Sequence, residues 1–127
     1  MYMVDVTKCV SVSVTTPTPT ITVTLNDVYI TRDGYKTSTI YKTEGAGRYS
    51  ICYSVSVAGS TYVTASITIR AGKDQNSLKI VAGYSQVLYS QAYAVKLSDL
   101  GYSTVDDFLN AVGATDSCVI CVTITYG

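Results

Sequence analysis

The sequence predicts an all-β protein, an antiparallel sandwich or barrel with one short helix near residues 103–112. Apolar and polar residues alternate with a period of two over most of the 127 residues, which is typical of strands with one buried face. Turn-forming residues separate these runs at regular spacing, and helical spacing occurs in one place. A chain of this length fits a single domain, 1–127.

The N-terminal strand is marked by Val4, Val6, Val10, Val12 and Val14. TTPTPT at 15–20 follows it and predicts an extended connection, because proline donates no hydrogen bond to a sheet. Residues 1–20 can therefore act as a detachable arm.

The next strands lie between clear turn signals. Asp33-Gly34 predicts a hairpin, Gly45-Ala46-Gly47 and Ala58-Gly59-Ser60 predict turns, and AGKDQNS at 71–77 predicts a polar loop. The strand candidates between and after these signals are ITVTL, VYIT, YKTSTIY, the stretch at 47–59, TYVTASITI, SLKIVAGYSQVLY and QAYAVKL.

The period changes in YSTVDDFLNAVGATD, where Val105, Phe108, Leu109 and Val112 fall at helical spacing. We expect Ser103 and Asp106 to cap the helix and Gly113 to end it. A last strand, CVICVTITY, follows at 118–126.

Composition argues against several functions. Nine acidic and nine basic residues give zero net charge without a basic cluster, so a nucleic-acid partner is not expected. The chain has no histidine, which excludes a Ser-His-Asp triad and a Cys-His pair. We expect no enzyme, no catalytic residue and no cofactor. We see no signal peptide, and serine and threonine at nearly every second position of the charge-free run 49–69 argue against a membrane helix.

The acidic residues after Lys96 do not predict a metal site. Asp99, Asp106, Asp107 and Asp116 lack the alternating pattern of a calcium loop, and two of them begin the predicted helix, where the dipole favours a negative charge. Cys118 and Cys121 have the C-x-x-C spacing, but a strand points them to opposite faces, so zinc is not expected.

Cysteine pairing stays open at this point. The strand faces place Cys52 and Cys121 outward, and the two can meet if their strands are neighbours. Cys9 and Cys118 are the other disulfide candidates, and a bridge would imply an oxidising compartment or the interior of a hyperthermophile.

The outward faces of two strands carry no charge, although solvated strands usually do. We therefore predict that these faces meet copies of the same chain. The predicted interface consists of Ser50, Cys52, Ser54, Ser56, Cys121, Thr123 and Thr125. A solvent-exposed Ser/Thr-rich sheet is the alternative interpretation.

Gly47, Tyr49, Tyr53, Val55 and Val57, followed by Ala94, Leu97 and a closing strand, resemble the pattern of C1q/TNF-like jelly-roll proteins over residues 47–127. The resemblance implies a jelly-roll sandwich, a closing strand beside the strand at 47–59, and a homotrimer formed by the sheet that holds both. The chain departs from the family at 103–112, where a helix replaces a strand.

The overall character also resembles β-proteins of viruses that infect hyperthermophilic archaea, which implies a thermostable virion or virus-encoded accessory protein, in the virion or the host cytoplasm. Two other interpretations stay open. Residues 1–14 can add a strand to the sheet of a neighbour and so build a filament. Some of the twelve tyrosines can form a platform for a glycan or a receptor protein.

Overall fold

The protein is a sandwich of two four-stranded antiparallel sheets with one short helix, in a computed structural model that describes residues 3–8 and 21–127. Sheet 1 has the order β1-β8-β5-β6, and sheet 2 has the order β3-β2-β4-β7. The strands are β1 (Val4–Lys8), β2 (Thr22–Arg32), β3 (Tyr35–Thr37), β4 (Tyr49–Ala58), β5 (Val63–Gly72), β6 (Lys79–Leu88), β7 (Ala92–Lys96) and β8 (Val119–Tyr126). The predicted all-β sandwich is confirmed.

Strand β2 joins two runs that the sequence separates. A bulge between Leu25 and Asp27 inserts Asn26, which restores the inward direction of the apolar residues on the far side. Val23 and Leu25 are fully buried before the bulge, and Ile30 packs against the core after it. One extra residue therefore explains why ITVTL and VYIT are out of phase.

The hairpin predicted at Asp33-Gly34 is confirmed. Both residues have positive φ, 54° and 87°, as a two-residue hairpin turn requires. Strand β3 is shorter than the predicted YKTSTIY and ends at Thr37. The Thr37 hydroxyl bonds to the backbone of Thr39, which competes with strand pairing at that point.

The short helix α1 runs from Val105 to Val112, within the predicted range. Its N-cap is Thr104, whose hydroxyl accepts a hydrogen bond from the backbone amide of Asp107, so the predicted capping pair was one residue too early. Gly113 ends the helix in the left-handed conformation, as expected. The apolar face of α1 joins the core through Phe108 and its neighbours.

Strands β4 and β8 lie in different sheets, and the expectation that they are neighbours is wrong. β4 pairs with β2 and β7, whereas β8 pairs with β1 and β5. Alternation shows which residues face the core, but two strands that face it from opposite sides have the same pattern. The pattern thus cannot assign a strand to a sheet.

The core between the sheets is apolar, and no buried polar or charged residue occurs among the described residues. Its largest fully buried side chains include Tyr49, Tyr53, Phe108, Leu25, Ile51, Ile67 and Ile69. On β4 the buried residues Tyr49, Ile51, Tyr53 and Val55 alternate with Ser50, Ser54 and Ser56, which the sequence predicts to face outward.

Candidate functional site

The N-terminal strand β1 closes one edge of sheet 1. Its five residues pair with β8 alone among the described strands, from Val4 opposite Tyr126 to Lys8 opposite Val122. Val4 and Val6 are each only 2% exposed and belong to the core. β1 is therefore an edge strand whose inward side chains also cover the core. The rest of the predicted arm, including residues 9–20, lies outside the described residues.

Among the described strands, β6 forms the opposite edge of sheet 1 and pairs with β5. Ten residues long, it carries one charge, at Lys79. Ile80 is 65% exposed and Val87 is 43% exposed. A long edge with a single charge, at its first residue, and with exposed apolar side chains is a template for another strand. The residues of this run predict a strand, but they do not indicate that the strand is an edge.

The predicted oligomer interface is divided between the two sheets. Ser50, Cys52, Ser54 and Ser56 belong to β4 in sheet 2, whereas Cys121, Thr123 and Thr125 belong to β8 in sheet 1. The two groups therefore cannot form one continuous surface. That either group meets a copy of the chain stays a prediction.

The cysteines are dispersed in the same way. Cys52 is buried beside the Thr31 hydroxyl at 3.8 Å, and Cys121 is buried in the other sheet, in register with Arg70. The condition for a contact between Cys52 and Cys121, that their strands are neighbours, is therefore not met. No disulfide joins Cys52, Cys118 and Cys121 to one another. Cys9 lies outside the described residues.

Cys118 lies at the start of the last strand with a free, half-buried thiol. Burial raises the pKa of this thiol to about 11. At neutral pH the thiol is therefore protonated, and a protonated thiol is a poor nucleophile and a poor metal ligand. This environment is that of a packing residue.

A network of charges fixes the loop between β3 and β4. Arg32 donates to both carboxylate oxygens of Glu44, at 3.0 and 2.5 Å, and Tyr49 donates to Oε2 of the same group at 2.5 Å. Arg48 donates to Glu44 at 3.3 Å and also binds Asp33. Two guanidinium groups thus face two carboxylates.

The electrostatics of this network favour a structural role for its two carboxylates, because both are paired with arginines. The hydrogen bonds from Arg32 and Tyr49 lower the pKa of Glu44 to about 2. The Asp33 carboxyl has a lowered pKa because Arg48 donates to it. Since both acids stay ionised and paired at neutral pH, neither is available as a general acid or base. Glu44 is the only glutamate of the chain, but nothing in the sequence indicated its partners.

A second cluster joins the sheets through tyrosines. The hydroxyl of Tyr53 in β4 is 2.7 Å from that of Tyr84 and 2.6 Å from the amide oxygen of Gln86, both in β6. The ring of Tyr53 stacks on Tyr93 with centroids 5.5 Å apart. Burial and the bond to Tyr84 raise the pKa of Tyr53. These tyrosines therefore contribute to packing and hydrogen bonding between the sheets.

Exposed tyrosines lie elsewhere. Tyr62 and Tyr89 form a tilted ring pair at 5.9 Å, and Tyr35 and Tyr41 are also exposed. Tyr41 lies under the Arg32 guanidinium at 5.4 Å. Tyr62 and Tyr89 flank β5 and β6 in sheet 1, whereas Tyr35 belongs to β3 in sheet 2, and a tyrosine platform for a glycan or a receptor stays a prediction.

A cleft of about 400 Å³ lies between the loop after β3 and the loop after α1. This volume falls in the usual range for sites that bind small molecules. Its apolar side chains lie beside several hydroxyls, one lysine and one aspartate. The lining residues are Ile30, Ser38, Thr39, Ile40, Lys42, Leu109, Thr115, Asp116, Ser117 and Cys118.

Within residues 3–8 and 21–127, no group of three or more Cys, Asp or Glu side chains is placed to hold a metal ion. In the same part of the chain, no helix has the length and apolar character to cross a membrane. Comparisons with protein-family models, with curated proteins and with solved structures found no match for this chain.

Proposed function

We propose that this protein is a non-enzymatic structural subunit that assembles with copies of itself by exchanging its N-terminal strand. The observation that carries the proposal is the position of β1, an edge strand of five residues whose two valines seal the core. In the assembled form, β1 of one copy takes the same place beside β8 of the next copy.

The sequence around β1 suits such an exchange. Residues 9–21 connect β1 to β2 without a charge and with two prolines, at 17 and 19. At about 3.3 Å per residue, this connection can reach roughly 43 Å when fully extended. An exchanged strand restores every native contact, so the exchange costs little beyond the entropy of association.

Paired cysteines test the exchange directly. Asp5 and Thr125 are register partners across β1 and β8, on the side away from the core. Chains with D5C, unfolded and refolded together with chains carrying T125C, should form a mixed disulfide dimer under mild oxidation. Either variant alone should give only the background of the native cysteines.

The doubly substituted chain, D5C and T125C together, is the matched control because it can close the same bridge within one molecule. If the double variant closes its internal bridge but the mixed variants give no dimer above background, strand exchange is excluded. Light scattering over a range of concentrations should separately show assemblies larger than one chain.

The jelly-roll connectivity and the homotrimer are retained as the alternative form of assembly. The eight strands of the described residues lie in two sheets with β1 beside β8, which is in keeping with a jelly roll. A stable mass of three chains that D5C and T125C fail to cross-link would favour the trimer. Either assembly suits a virion or virus-encoded accessory protein.

A glycan-binding or protein-binding module is the second candidate, and the cleft beside Asp116 favours it. Hydroxyl groups and a carboxylate beside apolar side chains can bind the hydroxyls and ring face of a sugar. Titration with a panel of monosaccharides, followed by NMR, should shift the amides of residues 38–42 and 115–118. No shift in the native chain, or equal shifts in a D116A variant, would exclude this site.

A further inference from the structure

We propose that β6 pairs in antiparallel fashion with β6 of a second copy about a two-fold axis at Ser85, which joins two copies of sheet 1 into one continuous sheet. The proposal shares with strand exchange the premise that the chain assembles with itself. It uses the opposite edge of the sheet, however, and can be tested separately.

Lys79 and an irregularity at Val81 lie at the start of β6, but from Ala82 to Leu88 this edge lacks the features that keep strand edges apart. Natural edges usually carry a charge or a proline, or are short. β6 has ten residues, and after Lys79 the sequence has no charge and no proline until Lys96. Its outward backbone groups can therefore pair with another strand without bringing like charges together.

The position of the proposed two-fold axis follows from the pairing register of β6. The register between β5 and β6 shifts between Ile69 and Arg70, whose partners are Ala82 and Ile80, so Val81 is an extra residue. A bulge interrupts regular pairing on its strand. The regular part of β6 therefore runs from 82 to 88, and Ser85 is its midpoint.

Pairing about this midpoint is complementary on the outer face. With the axis at Ser85, Gly83 of each copy lies opposite Val87 of the other. Residues directly opposite in an antiparallel ladder point to the same side of the sheet, so these two residues are in contact. A side chain at Gly83 would have open space around it, since its Cβ would meet no neighbouring atom within 4 Å. The exposed Val87 of each copy can fill the space at Gly83 of the other copy, which gives two equivalent contacts, one on each side of the axis.

Cysteine scanning tests both the contact and its register. The Ser85→Cys variant should form a disulfide dimer, because paired residues in a ladder have Cα atoms about 4.5–5.5 Å apart, within the range of a disulfide. The Val87→Cys variant alone should not, since the two copies of residue 87 lie about 13 Å apart along the strands. A mixture of G83C and V87C chains should cross-link again.

Two results would overturn the proposal. One is no S85C dimer above the background of the native chain, and the other is an S85C yield no greater than that of V87C alone. These cross-links do not involve β1, whereas D5C and T125C do not involve β6. Failure of one proposal is thus distinguishable from failure of the other.

Light scattering provides a test without oxidation. The S85K variant places two ammonium groups face to face at the axis, and like charges directly opposite destabilise pairing. We expect it to lose dimer that the native chain forms at high concentration. S66K is the matched control, since Ser66 is exposed and pairs with Ser85 one strand further from the edge. Equal loss of dimer in both variants would contradict the proposal.

Discussion

The hydroxyl of Tyr49 donates a 2.5 Å hydrogen bond to Oε2 of Glu44, the carboxylate that Arg32 also binds at both oxygens. Tyr49 is buried at the start of β4, and the Glu44 side chain is 17% exposed. The backbone carbonyl of Glu44 also accepts from the amide of Val105, the first residue of α1. Through these bonds, Glu44 connects its loop to the hairpin, to the core strand β4 and to the helix α1.

Acid should weaken this connection in a defined range of pH. The pKa of Glu44 falls from 4.5 to about 2 in the folded protein, so its stabilising effect is complete above pH 4.5 and is lost as the pH falls towards 2. We expect the free energy of unfolding, measured with denaturant at a series of pH values, to fall in this range.

The E44Q variant should flatten that pH dependence. It should also lower the thermal midpoint at pH 7, because glutamine is neutral and binds two guanidinium groups less strongly. Some dependence should persist, since the pKa of Asp33 is also lowered by Arg48. The exposed Asp116, changed to asparagine, is the control, and an equal effect of D116N would contradict the role given to Glu44.

Removal of the Tyr53 hydroxyl should destabilise the sandwich without altering its core. The Tyr53→Phe variant loses bonds of 2.7 Å to Tyr84 and 2.6 Å to Gln86. Both partners are only partly buried and can turn to water, so we expect a loss of about 1 kcal/mol. Chemical denaturation measures it, with the exposed Tyr35→Phe as control. A loss as small as that of the control would show that the bonds add nothing.

The same cluster predicts an alkaline effect. Burial raises the pKa of Tyr53 above its ordinary value of 10, because the folded protein favours the neutral hydroxyl. The resulting stability is complete below pH 10 and is lost as the pH rises beyond it. The decline in unfolding free energy above pH 10 should be shallower in Y53F than in the native chain. An unchanged slope would contradict this assignment.

Glycines 72 and 83 should respond in opposite ways to alanine. A Cβ at Gly72 would lie 2.3 Å from the backbone oxygen of Ser77, so the loop after β5 would have to move. We expect Gly72→Ala to cost about 1–3 kcal/mol, which is typical of an overpacked site. Gly83 has open space, and alanine there should be neutral or stabilise by roughly 0.5 kcal/mol through the unfolded chain. Equal effects by thermal unfolding would refute the distinction.

The sequence was sufficient for features that depend on near neighbours. Alternation identified the inward face of β4, Asp33-Gly34 identified the hairpin, and Gly113 identified the end of the helix. Pairing between distant strands was out of reach, since β4 and β8 have the same pattern but lie in different sheets. The condition for a contact between Cys52 and Cys121 is not met for this reason.

The candidate sites depend on the same long-range pairing. Among the described strands, β6 is an edge strand because β8 and β1, from the two ends of the chain, lie on the other side of β5. The residues of β6 themselves do not indicate this position. The partners of Glu44 come from β2, from the turn before β4 and from β4 itself. The cleft likewise forms where the loop after β3 meets the loop after α1, which are about seventy residues apart in the sequence.

Shortening the connection between β1 and β2 should drive strand exchange. The backbone amide of Val23 bonds to the hydroxyl of Tyr126, the register partner of Val4, so β2 begins near the start of β1. The end of β1 and the start of β2 are therefore separated by the length of β1 and by the distance between the two sheets. Deletion of residues 15–20 reduces its reach from roughly 43 Å to roughly 23 Å.

The separation of about 13 Å along β1 and about 10 Å between packed sheets combines to about 16 Å, so a shortened connection with a reach of about 23 Å spans it with little slack. Short, strained hinges favour exchange over closure within one chain. We expect the deletion variant to shift from monomer towards larger assemblies in light scattering, at concentrations where the native chain is less associated. Replacing residues 15–20 by six glycine and serine residues, which preserves the length, should not produce that shift. A folded, purely monomeric deletion variant would contradict strand exchange.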